Sequence, residues 1–132
     1  MSENENDILA ASKYVLSLTP EDFEEVATWK LKSKDCTAVI FYTNWCGYCK
    51  EVKPEWIKFG QKAKYIDVAA MDCELHKSHV AKIKEDMPQL IQGYPSIAFY
   101  SDGKPIENFP SDKQRNLANF LKTSMDFCNP IK

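Results

Sequence analysis

The strongest constraint on the fold is an unbroken apolar run at residues 37–43 (TAVIFYT). The run is rich in β-branched and aromatic residues, and it lacks the alternation of a strand with one solvated face. Such a run predicts a central strand that is buried on both faces. We therefore expect an α/β protein with a central mixed β-sheet that is flanked by helices on both faces.

The remaining segments alternate between strand and helix patterns. Strands are predicted at residues 14–18, 65–71, 96–100 and 106–109, and helices at residues 23–31, 46–62, 76–87 and 117–128. The chain shows no repeat and no linker, so we expect one domain at residues 13–132. The polar, acidic residues 1–12 predict a flexible tail.

Two of these helices carry explicit signals. Thr19, Pro20 and Asp22 form a capping box that predicts the start of the first helix. Its apolar positions are Phe23, Val26, Ala27 and Leu31. In the helix after the central strand, the solvent-facing side is predicted from four lysines: Lys50, Lys53, Lys58 and Lys62.

Charge and hydropathy exclude several classes of protein. Seventeen basic against nineteen acidic residues give a net charge of −2, without the basic excess of a nucleic-acid or membrane-surface protein. No apolar stretch approaches the roughly 20 residues of a membrane span. The first residues lack the pattern of a secretory leader, so we expect a cytoplasmic, reducing location. Five cysteines are too few for a disulfide scaffold.

The residues that predict chemistry are Cys46 and Cys49, which lie where the buried strand hands over to a helix. A helix N-terminus stabilises a thiolate through its free N–H groups and its dipole. The spacing of three residues places both sulfurs on one face, within reach of a disulfide. We expect Cys46 to be the exposed nucleophile and Cys49 the shielded thiol that resolves a mixed disulfide.

Two other interpretations of this pair stay open. Cys46 and Cys49 can supply half of a zinc site, with the other half drawn from Cys73, His76 and His79. Alternatively, the pair forms a structural disulfide, although a reducing compartment disfavours it. The strand-to-helix location favours redox chemistry, and we expect no metal and no cofactor.

Five segments carry a family resemblance: VIFYTNWCGYCK (residues 39–50), KPE (53–55), MDC (71–73), GYPS (93–96) and AFYSDGK (98–104). Over about residues 14–125 the chain resembles the thioredoxin superfamily, and within it a catalytic domain of protein disulfide isomerase. The resemblance implies a thioredoxin fold with a cis peptide bond between Tyr94 and Pro95. It also implies a substrate-binding surface of five residues: Trp45, Gly47, Tyr48, Tyr94 and Pro95.

Two departures from the family pattern bear on the chemistry, and a third is a longer segment at residues 76–92. Tyr48 stands where disulfide isomerases have histidine, and a neutral phenol cannot stabilise the Cys46 thiolate by charge. This predicts a weaker oxidant than an isomerase domain. Ile40 and Ala70 stand where the family has a buried acid and a lysine. Because that acid helps to deprotonate the resolving cysteine, we expect a slow release step that accelerates with pH.

The sequence thus predicts a thiol–disulfide oxidoreductase that acts on protein thiols and disulfides with an unidentified electron donor or acceptor. We expect a monomer without nucleic-acid or membrane partners. A binding module with little redox turnover is the alternative, and a Cys46→Ser variant separates the two. The other cysteines, Cys36, Cys73 and Cys128, are interpreted as small buried hydrophobic residues, and intermolecular pairing is an alternative for Cys128 near the terminus.

Overall fold

The computed structural model describes residues 7–24 and 29–128, and within them five strands and four α-helices. The strands are β1 (Leu16–Ser17), β2 (Thr37–Tyr42), β3 (Asp67–Asp72), β4 (Ser96–Ser101) and β5 (Lys104–Asn108). The helices are α1 (Ile8–Ala11), α2 (Gly47–Lys62), α3 (Lys77–Asp86) and α4 (Leu117–Cys128). A 3₁₀ turn occupies Pro20–Asp22.

The described strands form one mixed sheet in the order β1-β3-β2-β4-β5. β2 is central: it pairs in parallel with β3 and antiparallel with β4. All six of its residues are buried, as the apolar run predicts. The predicted fold class is therefore confirmed.

Helices cover both faces of this sheet. Alternate residues of β2 face opposite cores because side chains alternate along a strand. Ala38, Ile40 and Tyr42 join one core with α1, α2 and α4, where Trp56 is fully buried. The other core contains Val39, Phe41, Val80 and Ile83, the last two from α3.

The prediction of the first helix is wrong near Phe23 and at Leu31, the two ends of it that the structure describes. The capping box at Thr19 and Asp22 forms, but it caps only the 3₁₀ turn. Phe23 is extended and forms an antiparallel bridge with Leu31. Burial of both side chains in the core outweighs the local helical spacing. Val26 and Ala27 lie outside the described residues.

Residues 7–12 differ from the flexible tail that the sequence suggests. Asp7 caps α1 by accepting hydrogen bonds from the backbone N–H groups of Leu9 and Ala10. Leu9 is fully buried in the core that contains α2. The apolar contact and the cap fix this segment to the domain, while residues 1–6 lie outside the described part.

Cys36 and Cys128 form a disulfide, with a Cα–Cα distance of 5.8 Å. Their interpretation as unpaired hydrophobic residues is therefore wrong. The bond joins the residue before β2 to the last residue of α4, across a sequence separation of 92. Cys73, by contrast, is a free and buried thiol, as predicted.

Candidate active site

Cys46 is the N-cap residue of α2, immediately after the loop that leaves β2. Its backbone is extended, and its side chain makes no capping hydrogen bond. The first N–H groups of a helix have no partner within the helix, and the positive end of the helix dipole lies there. The Cys46 sulfur is thus placed where a thiolate is stabilised, and the residue as a whole is 9% exposed.

Cys49 lies one turn further into α2 and is 0% exposed. Both cysteines are free thiols in this structure. Burial, with a smaller contribution from Cys46, raises the pKa of the Cys49 thiol to about 12, although a backbone hydrogen bond at Thr43 and the charge of Lys53 oppose the rise. The two thiols thus lie at the helix start and one turn behind it, but the predicted exposure of Cys46 is wrong: the residue is buried, with its thiol against the Tyr94 carbonyl.

The loop before β4 faces this cysteine pair. The Tyr94–Pro95 peptide bond is cis, as the resemblance implies. The Cys46 thiol donates a hydrogen bond to the Tyr94 carbonyl oxygen, with a distance of 3.3 Å. The structure therefore brings Cys46 together with Tyr94 and Pro95, although Cys46 and Tyr94 are 48 residues apart in the chain.

Two exposed aromatic side chains border Cys46. Trp45 is 58% exposed and packs edge-on against the Tyr94 ring, with 6.0 Å between the ring centres. Tyr48 is 65% exposed on the first turn of α2. Gly47 lies between them, and a Cβ added there would meet no atom within 4 Å. The region around Gly47 is consequently open to a bound chain.

Tyr48 lies beside a second loop, the one that precedes α4. It borders a shallow groove together with Lys113 and Arg115, which precede α4. The same two basic residues border a larger groove that contains Pro95. Because the two grooves share Lys113 and Arg115, this loop contributes positive charge beside both predicted substrate contacts.

Sequence reasoning missed a buried charged group that acts on Cys49. Lys53, predicted on the solvent face of α2, is only 5% exposed. Its Nζ atom lies 3.3 Å from Oδ1 of Asp7 and donates a hydrogen bond to Oδ1 of Asn44. The signal for this burial was its spacing: Lys53 follows Cys49 by four residues and therefore shares its helix face.

Further polar groups close this cluster. The Tyr42 hydroxyl donates to Oδ2 of Asp7, and Nδ2 of Asn44 donates to Oδ2 of Asp72. Burial would raise the pKa of Asp7, but hydrogen bonding from Tyr42 and the charge of Lys53 hold that pKa below its usual value. Asp7 is therefore a carboxylate at neutral pH, and it balances the Lys53 ammonium.

The two positions at which the resemblance would place a buried acid and a lysine are adjacent in the sheet. Ile40 and Ala70 are paired residues of β2 and β3, and both are buried in the core that contains Cys49. Apolar side chains thus occupy both positions, as the sequence indicates. Within the described residues, a buried ion pair lies instead between Lys53 of α2 and Asp7 of the N-terminal segment.

The residues of the alternative zinc site do not converge. Across residues 7–24 and 29–128, no three His, Cys, Asp or Glu side chains are grouped to hold a metal ion. The Cys73 thiol donates to the Met71 carbonyl oxygen, and the His79 ring packs against Phe23 at 4.5 Å. The geometry of Cys46 and Cys49 therefore favours exchange chemistry over metal binding.

Comparison with known families agrees with this geometry. The family model described as Thioredoxin matches residues 14–123, which include β1 and most of α4. The chain belongs to the thioredoxin family. The matched range includes the cysteine pair and the cis-proline loop, but it excludes Asp7.

Two relatives show how this thioredoxin domain is related to larger proteins. Protein disulfide isomerase-like 2-1 of Oryza sativa subsp. japonica is 37% identical over 98 residues, which cover 71% of this chain and 24% of that protein. Protein disulfide-isomerase A6 of Homo sapiens is 31% identical over 110 residues, covering 83% of this chain and 22% of that protein. The chain thus spans about a quarter of the length of these curated relatives.

Solved structures confirm the thioredoxin fold. The fourth thioredoxin domain (Trx4) of ERdj5 superimposes with a TM-score of 0.66 at 22% identity, covering 86% of this chain and 94% of that domain. At this level of identity the similarity concerns the fold. In the part of the chain that the structure describes, no helix combines the length and apolarity needed to cross a bilayer.

The predicted cytoplasmic location is wrong. The related disulfide isomerases, ERdj5 and ERp44 are endoplasmic reticulum proteins. The prediction depended on the first residues of the sequence, which do not determine the compartment. The disulfide between Cys36 and Cys128 agrees with this correction, because structural disulfides are typical of oxidising compartments.

Proposed function

We propose that this thioredoxin domain is a thiol–disulfide oxidoreductase whose substrates are proteins, and that Cys46 and Cys49 are its reactive pair. One observation carries the proposal: Cys46 at the start of α2 faces the cis-proline loop, with the buried Cys49 thiol one turn behind it. The related disulfide isomerases support the same chemistry.

The exchange proceeds in two balanced steps. The Cys46 thiolate attacks one sulfur of a substrate disulfide; a Cys46–substrate disulfide forms, and the other substrate sulfur leaves as a thiolate. The Cys49 thiolate then attacks the Cys46 sulfur, so that the Cys46–Cys49 disulfide forms and the second substrate thiolate leaves. Two electrons pass from the pair to the substrate, and both released thiolates take protons from water.

The same intermediate serves the reverse reactions. An oxidised pair donates its disulfide to a substrate dithiol, and an interrupted cycle isomerises substrate disulfides. Another dithiol or disulfide system must restore the starting state of the pair. The direction therefore depends on that system and on the compartment, and no cofactor takes part in the step.

Trp45, Tyr48, Tyr94 and Pro95 would bind the substrate chain beside Cys46. The exposed rings of Trp45 and Tyr48 offer apolar contact to unfolded or flexible segments. The exposed residue Gly93, before the cis peptide bond, offers backbone groups to an extended chain, as in strand addition. Gly47 leaves space between these contacts.

Turnover with a disulfide-containing protein tests this proposal. We expect Cys46→Ser to abolish reduction of that substrate by a thiol donor, because serine cannot form the mixed disulfide. Cys73→Ser is the matched control, since Cys73 is a buried free thiol that donates to the Met71 carbonyl oxygen and not to the pair, and it should retain most of the activity. Wild type without turnover above the uncatalysed rate, together with unchanged binding of the same protein by Cys46→Ser, would identify a binding module instead.

The reduction potential of the pair supplies a second, independent test. Because Tyr48 provides no positive charge to the Cys46 thiolate, we expect a potential between about −270 mV, typical of thioredoxin, and about −180 mV, typical of protein disulfide isomerase. Equilibration with a series of glutathione redox buffers measures it. A potential above the isomerase value would contradict this expectation.

A further inference from the structure

We propose that Lys53 is a positioning residue for the second step of the exchange: its buried ammonium group, held by Asp7, stabilises the Cys49 thiolate that attacks the mixed disulfide. The inference rests on the proposed function, since it concerns the same cysteine pair. It concerns two residues outside the predicted site. One of them, Asp7, lies before the residues that the family model matches.

The helix geometry places the two groups together. Cys49 and Lys53 are four residues apart in α2 and therefore lie on the same face, one turn from each other. Both side chains are buried, so water screens the attraction between an ammonium and a thiolate only weakly. Lys50, although it follows Cys49 directly, is exposed to solvent.

Contacts from several elements hold the Lys53 ammonium in place. Asp7 lies 3.3 Å from it, Asn44 accepts a hydrogen bond from it, and its Nζ atom lies 4.9 Å from the centre of the Tyr42 ring. Asp72 binds the other end of Asn44. The titratable groups around Cys49 and Lys53 are thus Cys46 on α2, Tyr42 on β2, Asp72 on β3 and Asp7 before α1.

Stability alone does not account for this buried pair. Desolvation of two charges is costly, and apolar side chains of similar volume are often equally or more stabilising in such positions. Val52, Trp56 and Phe59 already provide the apolar contacts of this helix face. A charge on the same face as a buried thiol has a chemical consequence that an apolar residue lacks: it favours the thiolate.

The consequence concerns the release of substrate. Cys49 must lose its proton to solvent before it attacks the Cys46 sulfur, forms the Cys46–Cys49 bond and expels the substrate thiolate. Burial disfavours loss of this proton, and the positive charge of Lys53 partly offsets the effect of burial. The rate should still rise with pH, and Lys53 increases it at any given pH.

The two partners are expected to act with opposite signs. Lys53 attracts the thiolate, whereas the Asp7 carboxylate partly cancels that attraction. Lys53→Met should therefore slow the release, and Asp7→Asn should accelerate it. Asn is as good an N-cap as Asp, so Asp7→Asn preserves the hydrogen bonds that begin α1. A purely structural role would change both rates in the same direction.

Stopped-flow reaction with 5,5′-dithiobis(2-nitrobenzoate) tests this inference, with Cys73→Ala as the common background. The reagent modifies Cys46 in a concentration-dependent phase, and attack by Cys49 then releases the second thionitrobenzoate in a first-order phase. When the pKa of the Cys49 thiol rises by one unit, the thiolate fraction below that pKa falls about tenfold, while the nucleophilicity of the thiolate rises about threefold. We expect Lys53→Met to slow the first-order phase roughly threefold or more between pH 6 and 9.

Control variants separate charge from packing. Lys53→Arg keeps the charge and should restore most of the rate, and Lys50→Met should leave it within about twofold because that lysine is solvated. Asp7→Asn should be about twofold faster or more. Unchanged rates, or slowing in both Lys53→Met and Asp7→Asn, would overturn the inference. Absence of the first-order phase in the background protein itself would instead refute the proposed dithiol chemistry.

Discussion

A Cys49→Ala variant should remain covalently joined to its protein substrates. Cys46 keeps its place at the start of α2, so the first attack still proceeds. Because the variant lacks the Cys49 thiol, the mixed disulfide is no longer resolved by an intramolecular reaction. Only slow attack by external thiols then releases the substrate. We expect the lifetime of the mixed disulfide to increase roughly 100-fold or more.

Acid quenching followed by alkylation and non-reducing electrophoresis measures this complex. The reduced variant is mixed with a protein that contains an accessible disulfide, and mass spectrometry identifies the joined residues. Cys46→Ser combined with Cys49→Ala provides the control, and it should give no adduct. Accumulation of equal adduct by wild type and Cys49→Ala would show that Cys49 does not resolve the intermediate.

Removal of the disulfide between Cys36 and Cys128 should cause a large loss of stability. The bond closes a loop with a sequence separation of 92, and such a loop is highly disordered once the chain unfolds. We expect the Cys36→Ala Cys128→Ala variant to lose about 2 to 5 kcal/mol in its free energy of unfolding. For a domain of this size, the melting temperature should fall by roughly 8 to 20 °C.

Urea and thermal denaturation under non-reducing conditions measure this effect. Wild type should lose similar stability when a strong reductant is added, while the double variant should be nearly insensitive to it. Cys73→Ala is the matched control for the loss of a cysteine that forms no disulfide. Equal stability of the double variant and wild type would show that the crosslink does not stabilise the fold.

The sequence predicts the fold, and the position of Cys46 and Cys49 at a helix start, because their signals are local. The run at β2 is both apolar and continuous, and its burial on both faces fixes the centre of the sheet. The spacing of Cys46 and Cys49 at the end of that strand places the two thiols at a helix start. The cis bond at Pro95 follows from the family resemblance and not from the local sequence.

Features that depend on distant residues were predicted poorly. Lys53 was assigned to solvent by its residue type, although its spacing from Cys49 places it on the buried face. Its partner Asp7 lies 46 positions earlier, in a segment expected to be a tail. The pairing of Cys36 with Cys128 likewise depends on the docking of α4, which no short motif specifies. Phe23 is extended and not helical, because it forms an antiparallel bridge with Leu31 and both side chains are buried.

The docking of residues 7–12 has a consequence for how this domain is delimited. Boundaries taken from the family, at about residue 14, leave out the carboxylate that neutralises Lys53. A fragment trimmed there keeps the sheet, the reactive helix and the cis-proline loop, but it buries a cation without its counter-ion. Its redox behaviour would then describe an altered protein, so the minimal unit for enzymology is longer than the minimal unit of the fold.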